Sequence, residues 1–238
     1  MFSFRFSSYE WVRLAIAVFA LALGLWLRAR AKGNKRKLRA VSLPILVFMA
    51  AFLIFGRLPF ENLFVTYPSP QSALRYMGEY GEIGGLVNGK ASSLVIYSQT
   101  VNANKDDELR IYVEGLLPKT EKGWKIAEKS VLPASADSIE QNYGEYRITL
   151  ARPKHGAVKD YYVIVYHFHE IGGATEVSDS AGSDFHKFVG TEGYHKGTSW
   201  WYAYIEQLDE NYELIIDGEP VKIDNLHGWL EASGQKGH

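Results

Sequence analysis

Cysteine is absent from the 238 residues of this chain. Disulfide bonds, cysteine nucleophiles and thiolate metal ligands are therefore excluded together. A domain without disulfides has to be held together by its hydrophobic core, and roughly 170 residues are enough to build one. The sequence also lacks phosphate-cradling glycine loops, dinucleotide-binding fingerprints and paired carboxylates at a recognisable catalytic spacing, so it predicts no catalytic residue.

The net charge of the chain is only −1, but the charges are unevenly distributed. Residues 1–57 carry ten basic side chains and one acidic side chain, a net charge of +9, whereas the other 181 residues carry 16 basic and 26 acidic side chains, a net charge of −10. This asymmetry indicates two environments, with the basic part at a membrane surface. Nucleic acid is not expected as a partner of the acidic part, because phosphate binding needs clustered Lys and Arg.

Two apolar runs near the N-terminus predict a transmembrane hairpin. Residues 14–27 contain no polar side chain, and a helix that starts near residue 9 becomes long enough to cross the bilayer. The second run predicts a helix over residues 41–58. The loop between them, residues 28–40, carries seven basic side chains and no acid, so the positive-inside rule places it in the cytoplasm. A cleaved signal peptide is the alternative for the first run, and the basic loop directly behind it argues against cleavage.

The hairpin, residues 1–60, therefore predicts a cell-membrane protein with two spans, the lipid bilayer as a partner, and both termini and the main domain outside the cytoplasm. A domain that lies outside the cytoplasm without disulfides fits the cell envelope of a Gram-positive bacterium.

A linker and a short helix are predicted over residues 61–80. Ser69 is a suitable N-cap, Pro70 suits the first helical position, and Ala73, Leu74 and Met77 follow at helical spacing, which predicts a helix over about 70–78. Residues 225–238 are predicted to be a C-terminal tail, mobile beyond residue 230.

Residues 81–224 predict a β-rich domain outside the cytoplasm, because their apolar residues recur with period 2 and are rich in aromatic and β-branched types. Asn88-Gly89 and Asp217-Gly218 each separate two strand-like segments and predict hairpins. The predicted strands lie within residues 81–87, 91–98, 108–117, 122–128, 144–151, 159–170, 199–207, 212–217 and 219–223. The predicted fold class is α+β and mainly β: a transmembrane hairpin, then an antiparallel sheet or sandwich with one short N-terminal helix.

A metal site is one candidate centre. His167 and His169 lie two residues apart in a predicted strand and so point to the same face, and Asp184 and His186 have the same spacing. Together they offer the ligand types of a hydrolytic zinc site with an open position for water. The alternative is two ordinary strand histidines at a sheet rim beside two loop residues. Residues 171–199 contain six glycines without a clear period and predict a long irregular loop.

An aromatic strand is the second candidate. Trp200, Tyr202 and Tyr204 share one strand face, and Trp201 and Ile205 share the other. If the first face is exposed, it predicts a binding platform for sugar rings or a partner protein. The alternative is a strand that is buried on both sides.

Five short segments carry a resemblance to known proteins: residues 67–74, 88–97, 118–124, 200–205 and 214–219. In these segments the chain resembles small membrane-anchored extracytoplasmic proteins of Firmicutes with no assigned function. The resemblance implies an envelope location and supplies no catalytic residues. Those proteins usually have a single anchor, so the predicted hairpin is a departure from them.

The leading functional prediction is a non-enzymatic, membrane-anchored binding or interaction protein whose partner is another envelope protein or a cell-wall glycan. One alternative is a metal-dependent hydrolase that uses the His/Asp site with zinc as its cofactor. Another is an accessory subunit of a membrane protein complex.

Overall fold

A computed structural model describes residues 60–77, 81–104, 107–126, 132, 136–154, 159–168 and 176–232, and seven helical positions between residues 15 and 26. No helix within these residues is both long and apolar enough to cross a membrane. This finding contradicts the predicted transmembrane hairpin and the membrane location that depended on it. Most of the predicted hairpin, including all of residues 27–59, lies outside the described residues.

The hairpin prediction was weak because the first apolar run is too short to cross a bilayer. The uninterrupted apolar run of residues 14–27 reaches only about 21 Å as a helix, against roughly 30 Å for the hydrocarbon core. The prediction therefore depended on extending the helix through polar residues such as Glu10 and Arg13.

The short helix after the linker is confirmed and is named α1 (Pro70–Met77). The Ser69 hydroxyl oxygen accepts a hydrogen bond from the Ser72 backbone N–H at 3.1 Å, which caps the first turn as expected. Ala73 and Leu74 are completely buried, so α1 packs its apolar face against the rest of the protein.

From residue 60 onward the described structure contains, besides α1, twelve strands, two short 3-10 helices and one further α-helix, named α2. In chain order they are η1 (Phe60–Leu63), β1 (Ile83–Asn88), β2 (Ser92–Asn104), β3 (Asp107–Thr120), β4 (Gly123–Trp124), β5 (Ala136–Tyr143), β6 (Tyr146–Pro153), β7 (Tyr161–His167), β8 (Val177–Asp179), β9 (His186–Val189), η2 (Gly193–His195), β10 (Ser199–Ile205), β11 (Glu213–Ile216), β12 (Glu219–Lys222) and α2 (Leu226–Ala232).

The strands form three antiparallel sheets, which confirms the predicted antiparallel, β-rich character of this part of the chain. One sheet has the order β1-β2-β3-β4, the second β5-β6-β7-β10-β9, and the third β12-β11-β8. The five-stranded sheet is central, and the strands of its middle, β7 and β10, are buried along almost their whole length.

The layers are held together by three hydrophobic cores. Leu74 of α1 and Val95 of β2 belong to the core on the outer face of the first sheet. Tyr162 and Trp200 belong to the core between the first sheet and the central sheet. The opposite face of the central sheet packs on the third sheet and on α2, where Trp229 is buried. The order of layers is therefore α1, first sheet, central sheet, and third sheet with α2.

Of the two predicted hairpins, the one at Asp217-Gly218 is confirmed. Ile216 pairs with Glu219, and both turn residues have positive φ angles, 50° and 85°, as a tight two-residue turn requires. The hairpin near Asn88 also forms, but Asn88 is still part of β1 and pairs with Ser93, so the connection is residues 89–91.

The structure also contains elements that the sequence did not predict: β5, β8, β9 and α2. The strands β8 and β9 fall within the predicted irregular loop of residues 171–199. Helix α2 falls within the predicted tail, and its Leu226, Trp229 and Leu230 are buried at helical spacing. The segment predicted as a C-terminal tail therefore contains a helix over residues 226–232.

Gly85 allows β1 to approach the central sheet closely. A Cβ atom at this position would lie 2.8 Å from the ring of Tyr202, which is itself only 5% exposed and cannot easily move away. We expect Gly85→Ala to lower the free energy of unfolding by about 1–3 kcal/mol, because it overpacks the core between two sheets. Urea denaturation of the purified protein measures this change.

Gly228 supplies the matched control for that substitution. It lies inside α2, and a Cβ at this position would have no neighbour within 4 Å among the described residues. Gly228→Ala should therefore raise the stability by about 0.5–1 kcal/mol through helix propensity. Equal effects of the two substitutions would contradict the close approach at Gly85.

Candidate functional site

Four rings form a continuous row where β7 ends beside η2, and we call Phe168, Tyr166, His195 and Tyr194 the aromatic row. Successive ring centroids along it are 5.2, 5.7 and 5.1 Å apart. The two end rings are open to solvent, with Phe168 44% and Tyr194 73% exposed, whereas Tyr166 is buried beneath them. The row therefore exposes two rings, those of Phe168 and Tyr194, above the buried ring of Tyr166.

A guanidinium and a carboxylate lie beside the row. The Cζ atom of Arg147 is 5.0 Å from the centre of the Tyr166 ring, and its Nη2 is 3.2 Å from Glu114 Oε1. The same Glu114 oxygen accepts a hydrogen bond from Trp200 Nε1 at 2.8 Å. Because Arg147 and Glu114 neutralise each other, the polar edge of the row has no net charge.

The turn η2 brings Tyr194 and His195 to this position. Gly193 has a φ of +65°, and a Cβ there would lie 1.9 Å from the Arg110 backbone oxygen, so the turn needs glycine to lie against β3. An ion pair of 2.8 Å between Arg110 and Glu192 fixes the start of the turn. The Tyr112 backbone N–H donates a hydrogen bond to His195 Nδ1 at 2.9 Å.

The electrostatics of the row favour neutral side chains. Burial, and then the positive charge of Arg147, lower the pKa of His195 below its ordinary value. Burial raises the pKa of the Tyr166 hydroxyl, which stays protonated. The row thus offers ring faces, a neutral imidazole and one balanced ion pair.

A second polar cluster surrounds the buried carboxylate of Asp160, where the β1–β2 hairpin meets the central sheet. The carboxylate of Asp160, which is 0% exposed, accepts hydrogen bonds from the backbone N–H groups of Lys90 (3.0 Å) and Ala91 (2.8 Å) and from the Ser92 hydroxyl (2.7 Å). Because these donors belong to the β1–β2 connection, Asp160 ties that connection to the central sheet. Its burial and complete bonding assign it a structural role.

A surface depression with a volume of about 290 Å³ is lined by Ser180, Ala181, Glu206, Gln207, Asp209 and Tyr212. The Tyr212 hydroxyl already donates to Asp179 at 3.2 Å, and Glu206 forms an ion pair with Lys90 at 2.8 Å. The polar groups of Tyr212 and Glu206 are therefore already bonded to other side chains of the protein.

The predicted metal ligands are not brought together in the described part of the chain. His167 pairs with Ser199 and faces the third sheet, whereas His186 pairs with Tyr202 and faces the first sheet. His186 lies two strands away from His167 and three residues along β9 from Val189, the residue level with His167. In a regular sheet this separation is about 14 Å. Asp184 lies 4.0 Å from His186, and His169 lies outside the described residues.

No group of three His, Asp or Glu side chains within the described residues is arranged to hold a metal ion. His167 is 1% exposed, so its ring lies inside the protein, 4.9 Å from the ring of Tyr146. The zinc site remains a prediction of the sequence.

The predicted aromatic face is an interior face. Trp200 and Tyr202 are 1% and 5% exposed and lie in the core between the first and central sheets, with Tyr204 packed against that core. Trp201 on the opposite face is also buried. The alternative, a strand that is buried on both sides, therefore describes β10. Trp200 also contacts the aromatic row, with its ring 4.8 Å from that of Tyr166.

Sequence reasoning missed Glu114, Arg147 and Tyr194 as site residues. Their only sequence signal was indirect. Tyr194 lies between glycines in an irregular segment, and Glu114 and Arg147 are charged residues within strands. No protein-family profile, curated protein or solved structure matches this chain. The function is therefore inferred from the geometry of the aromatic row.

Proposed function

We propose that this protein is a binding module without catalytic activity that recognises an uncharged carbohydrate chain through the aromatic row. The observation that carries the proposal is the pair of exposed rings, Phe168 and Tyr194, held on a buried aromatic base. Exposed rings with fixed positions are suited to stacking on the apolar faces of sugar rings, since they lose little conformational entropy on binding.

The polar groups beside the rings support a carbohydrate in preference to a charged ligand. Arg147 and Glu114 offer donors and acceptors to hydroxyl groups while their charges cancel. The second pair, Arg110 with Glu192, is balanced in the same way. A polyanion needs uncompensated cations, so the balanced charges disfavour it.

The same contacts support binding without catalysis. Glu114 accepts hydrogen bonds from Arg147 and Trp200, and His195 Nδ1 accepts one from the protein backbone. Acid–base catalysis requires groups that can exchange protons with a substrate. Here the carboxylate and one imidazole nitrogen serve to position neighbouring protein groups.

We expect Tyr194→Ala to weaken the binding of linear oligosaccharides of glucose or N-acetylglucosamine by about tenfold, because one aromatic stacking contact contributes up to about 1.5 kcal/mol. Phe168→Ala should weaken it by a similar factor. Isothermal titration calorimetry with the full chain measures both changes.

Phe64→Ala is the matched control for these substitutions. Phe64 is 83% exposed and directly follows η1. Within η1, the Asn62 side chain donates a hydrogen bond to the Ile126 backbone oxygen, on the α1 side of the first sheet. Its removal should leave the affinity unchanged. If no oligosaccharide binds the wild-type protein, or if the three variants bind equally well, the proposed function is refuted.

A further inference from the structure

We propose that the aromatic row is a pH-gated site: protonation of His195 releases the turn η2, which carries Tyr194, from strand β3. The consequence for carbohydrate binding rests on the proposed function, whereas the release of the turn does not depend on it.

The gate is the hydrogen bond that His195 makes with β3. The two residues before η2 are held to β3 by other contacts, the Arg110–Glu192 ion pair and a hydrogen bond of 2.9 Å between the Tyr112 and Thr191 hydroxyls. The Tyr112 backbone N–H donates to His195 Nδ1 at 2.9 Å, so the neutral imidazole carries its proton on Nε2. Protonation adds a second N–H group at Nδ1, directly opposite the N–H of Tyr112. Two donors cannot bond to each other, and the imidazolium has to move away from β3.

The surroundings of His195 do not compensate for the added charge. Its ring contacts those of Tyr166, Tyr194 and Trp200, which are uncharged. The nearby cation is Arg147 on β6, which opposes a second positive charge. The neighbouring carboxylates, Glu114 on β3 and Glu192 at the start of the turn, are already paired with Arg147 and Arg110 respectively.

These surroundings set the direction of the pH effect. The lowered pKa of His195, caused first by burial and then by Arg147, means that the folded protein favours the neutral imidazole. The resulting stabilisation of the turn is fully present above the ordinary histidine pKa of about 6.5 and is lost as the pH falls through the lowered value. Acid therefore opens the row, and neutral pH closes it.

Residues 190–198, which contain η2, form a loop whose two ends are hydrogen-bonded to each other. At its neck, the Gly197 N–H bonds to the Gly190 backbone oxygen at 2.8 Å, and the Gly190 N–H bonds to the Thr198 oxygen at 2.9 Å. These bonds join the two ends of the segment and do not involve the imidazole. Residues 191 and 192 can also keep their contacts with β3. The His195 ring and the neighbouring Tyr194 can therefore move away from β3 while β9 and β10 remain paired.

The first test is nuclear magnetic resonance of the full chain through a pH titration. We expect the Tyr112 amide and the Trp200 indole N–H resonances to shift together below the ordinary histidine pKa, in step with the His195 ring. Nitrogen shifts of that ring at neutral pH should show the proton on Nε2. A proton on Nδ1 at neutral pH, or a Tyr112 amide that does not respond, overturns the proposal even without any variant.

His195→Asn is the matched variant, because its side-chain oxygen can accept the Tyr112 hydrogen bond and does not titrate. We expect the shared transition of Tyr112 and Trp200 to disappear in this variant. It should persist in His186→Asn, which removes a histidine that is 44% exposed on β9. Persistence of the transition in His195→Asn overturns the proposal.

Carbohydrate binding provides the second readout. For an oligosaccharide of glucose or N-acetylglucosamine, the wild-type affinity should fall by about tenfold for each pH unit below the pKa of His195, because only the closed fraction binds. His195→Asn removes one ring of the row, so its affinity at neutral pH is expected to be lower, and this lower affinity should not change with pH. If no oligosaccharide binds at any pH, the proposed function fails, while the resonance titration still decides whether His195 gates the turn. Equal pH dependence of binding in both proteins counts against the gate.

Discussion

Replacing Asp160 by alanine is expected to lower the free energy of unfolding by about 3–5 kcal/mol, since removing the buried carboxylate leaves its hydrogen-bond donors without their acceptor. The carboxylate is 0% exposed and accepts from two backbone N–H groups and the Ser92 hydroxyl. In the alanine variant the backbone N–H groups of Lys90 and Ala91 lose their acceptor, and the Ser92 hydroxyl keeps only the Tyr162 hydroxyl as a partner. The hairpin of β1 and β2 then loses three hydrogen bonds to the central sheet and keeps the exposed Lys90–Glu206 ion pair.

Chemical denaturation monitored by tryptophan fluorescence measures this loss. Asp160→Asn should have a smaller effect of about 2 kcal/mol, because the amide retains one acceptor oxygen but turns an NH2 group towards the donors. Asp184→Ala is the matched control: its side chain is 93% exposed, so the expected change is within about 0.5 kcal/mol. An Asp160→Ala variant that unfolds at the wild-type denaturant concentration would show that the carboxylate does not hold the two sheets together.

Replacing Trp200 by alanine is expected to destabilise the protein by about 3–5 kcal/mol through the cavity that it leaves. The side chain is 1% exposed and lies between the first two sheets, with its ring 4.8 to 5.7 Å from those of Tyr166, His195, Phe188 and Tyr112. Because Tyr166 and His195 belong to the aromatic row, we expect this variant to lose carbohydrate binding as well as stability.

Trp200→Phe separates the hydrogen bond from the packing. Phenylalanine keeps an aromatic ring but removes the indole N–H that donates to Glu114 Oε1, at an expected cost of about 1–3 kcal/mol. The matched control is Trp229→Phe, because the indole N–H of Trp229 has no hydrogen-bond partner among the described residues. The control should be less destabilised in a denaturation experiment. A smaller loss for Trp200→Phe would show that the bond to Glu114 is dispensable.

Local signals predicted those parts of the fold that depend on neighbouring residues. Ser69 and Pro70 located the start of α1 because a helix N-terminus is capped by adjacent side chains. Asp217 and Gly218 located a hairpin because both residues tolerate positive φ angles. The spacing of Leu226, Trp229 and Leu230 contained the signal for α2, which the prediction of a tail overlooked.

Elements that depend on distant partners were not predicted. Strand β9 has three exposed residues out of four and forms because β10 supplies its hydrogen-bonding partner. The transmembrane hairpin was wrong because apolar composition indicated a membrane span without showing a helix of sufficient length. The metal prediction assumed that histidines in neighbouring segments share a face, whereas His167 and His186 lie on opposite faces of the sheet.

By itself, the amino-acid sequence determined the antiparallel, β-rich character of residues 81–223, the alternation of Trp200 and Trp201 between two faces, and the turn at Asp217. Only the tertiary structure decided that both faces of β10 are buried, and that Glu114, Arg147, Tyr166 and Tyr194 meet at one end of the sheet. The physical reason is that side-chain alternation follows from the backbone of a single strand. The partner of each face follows from the order in which distant strands pack.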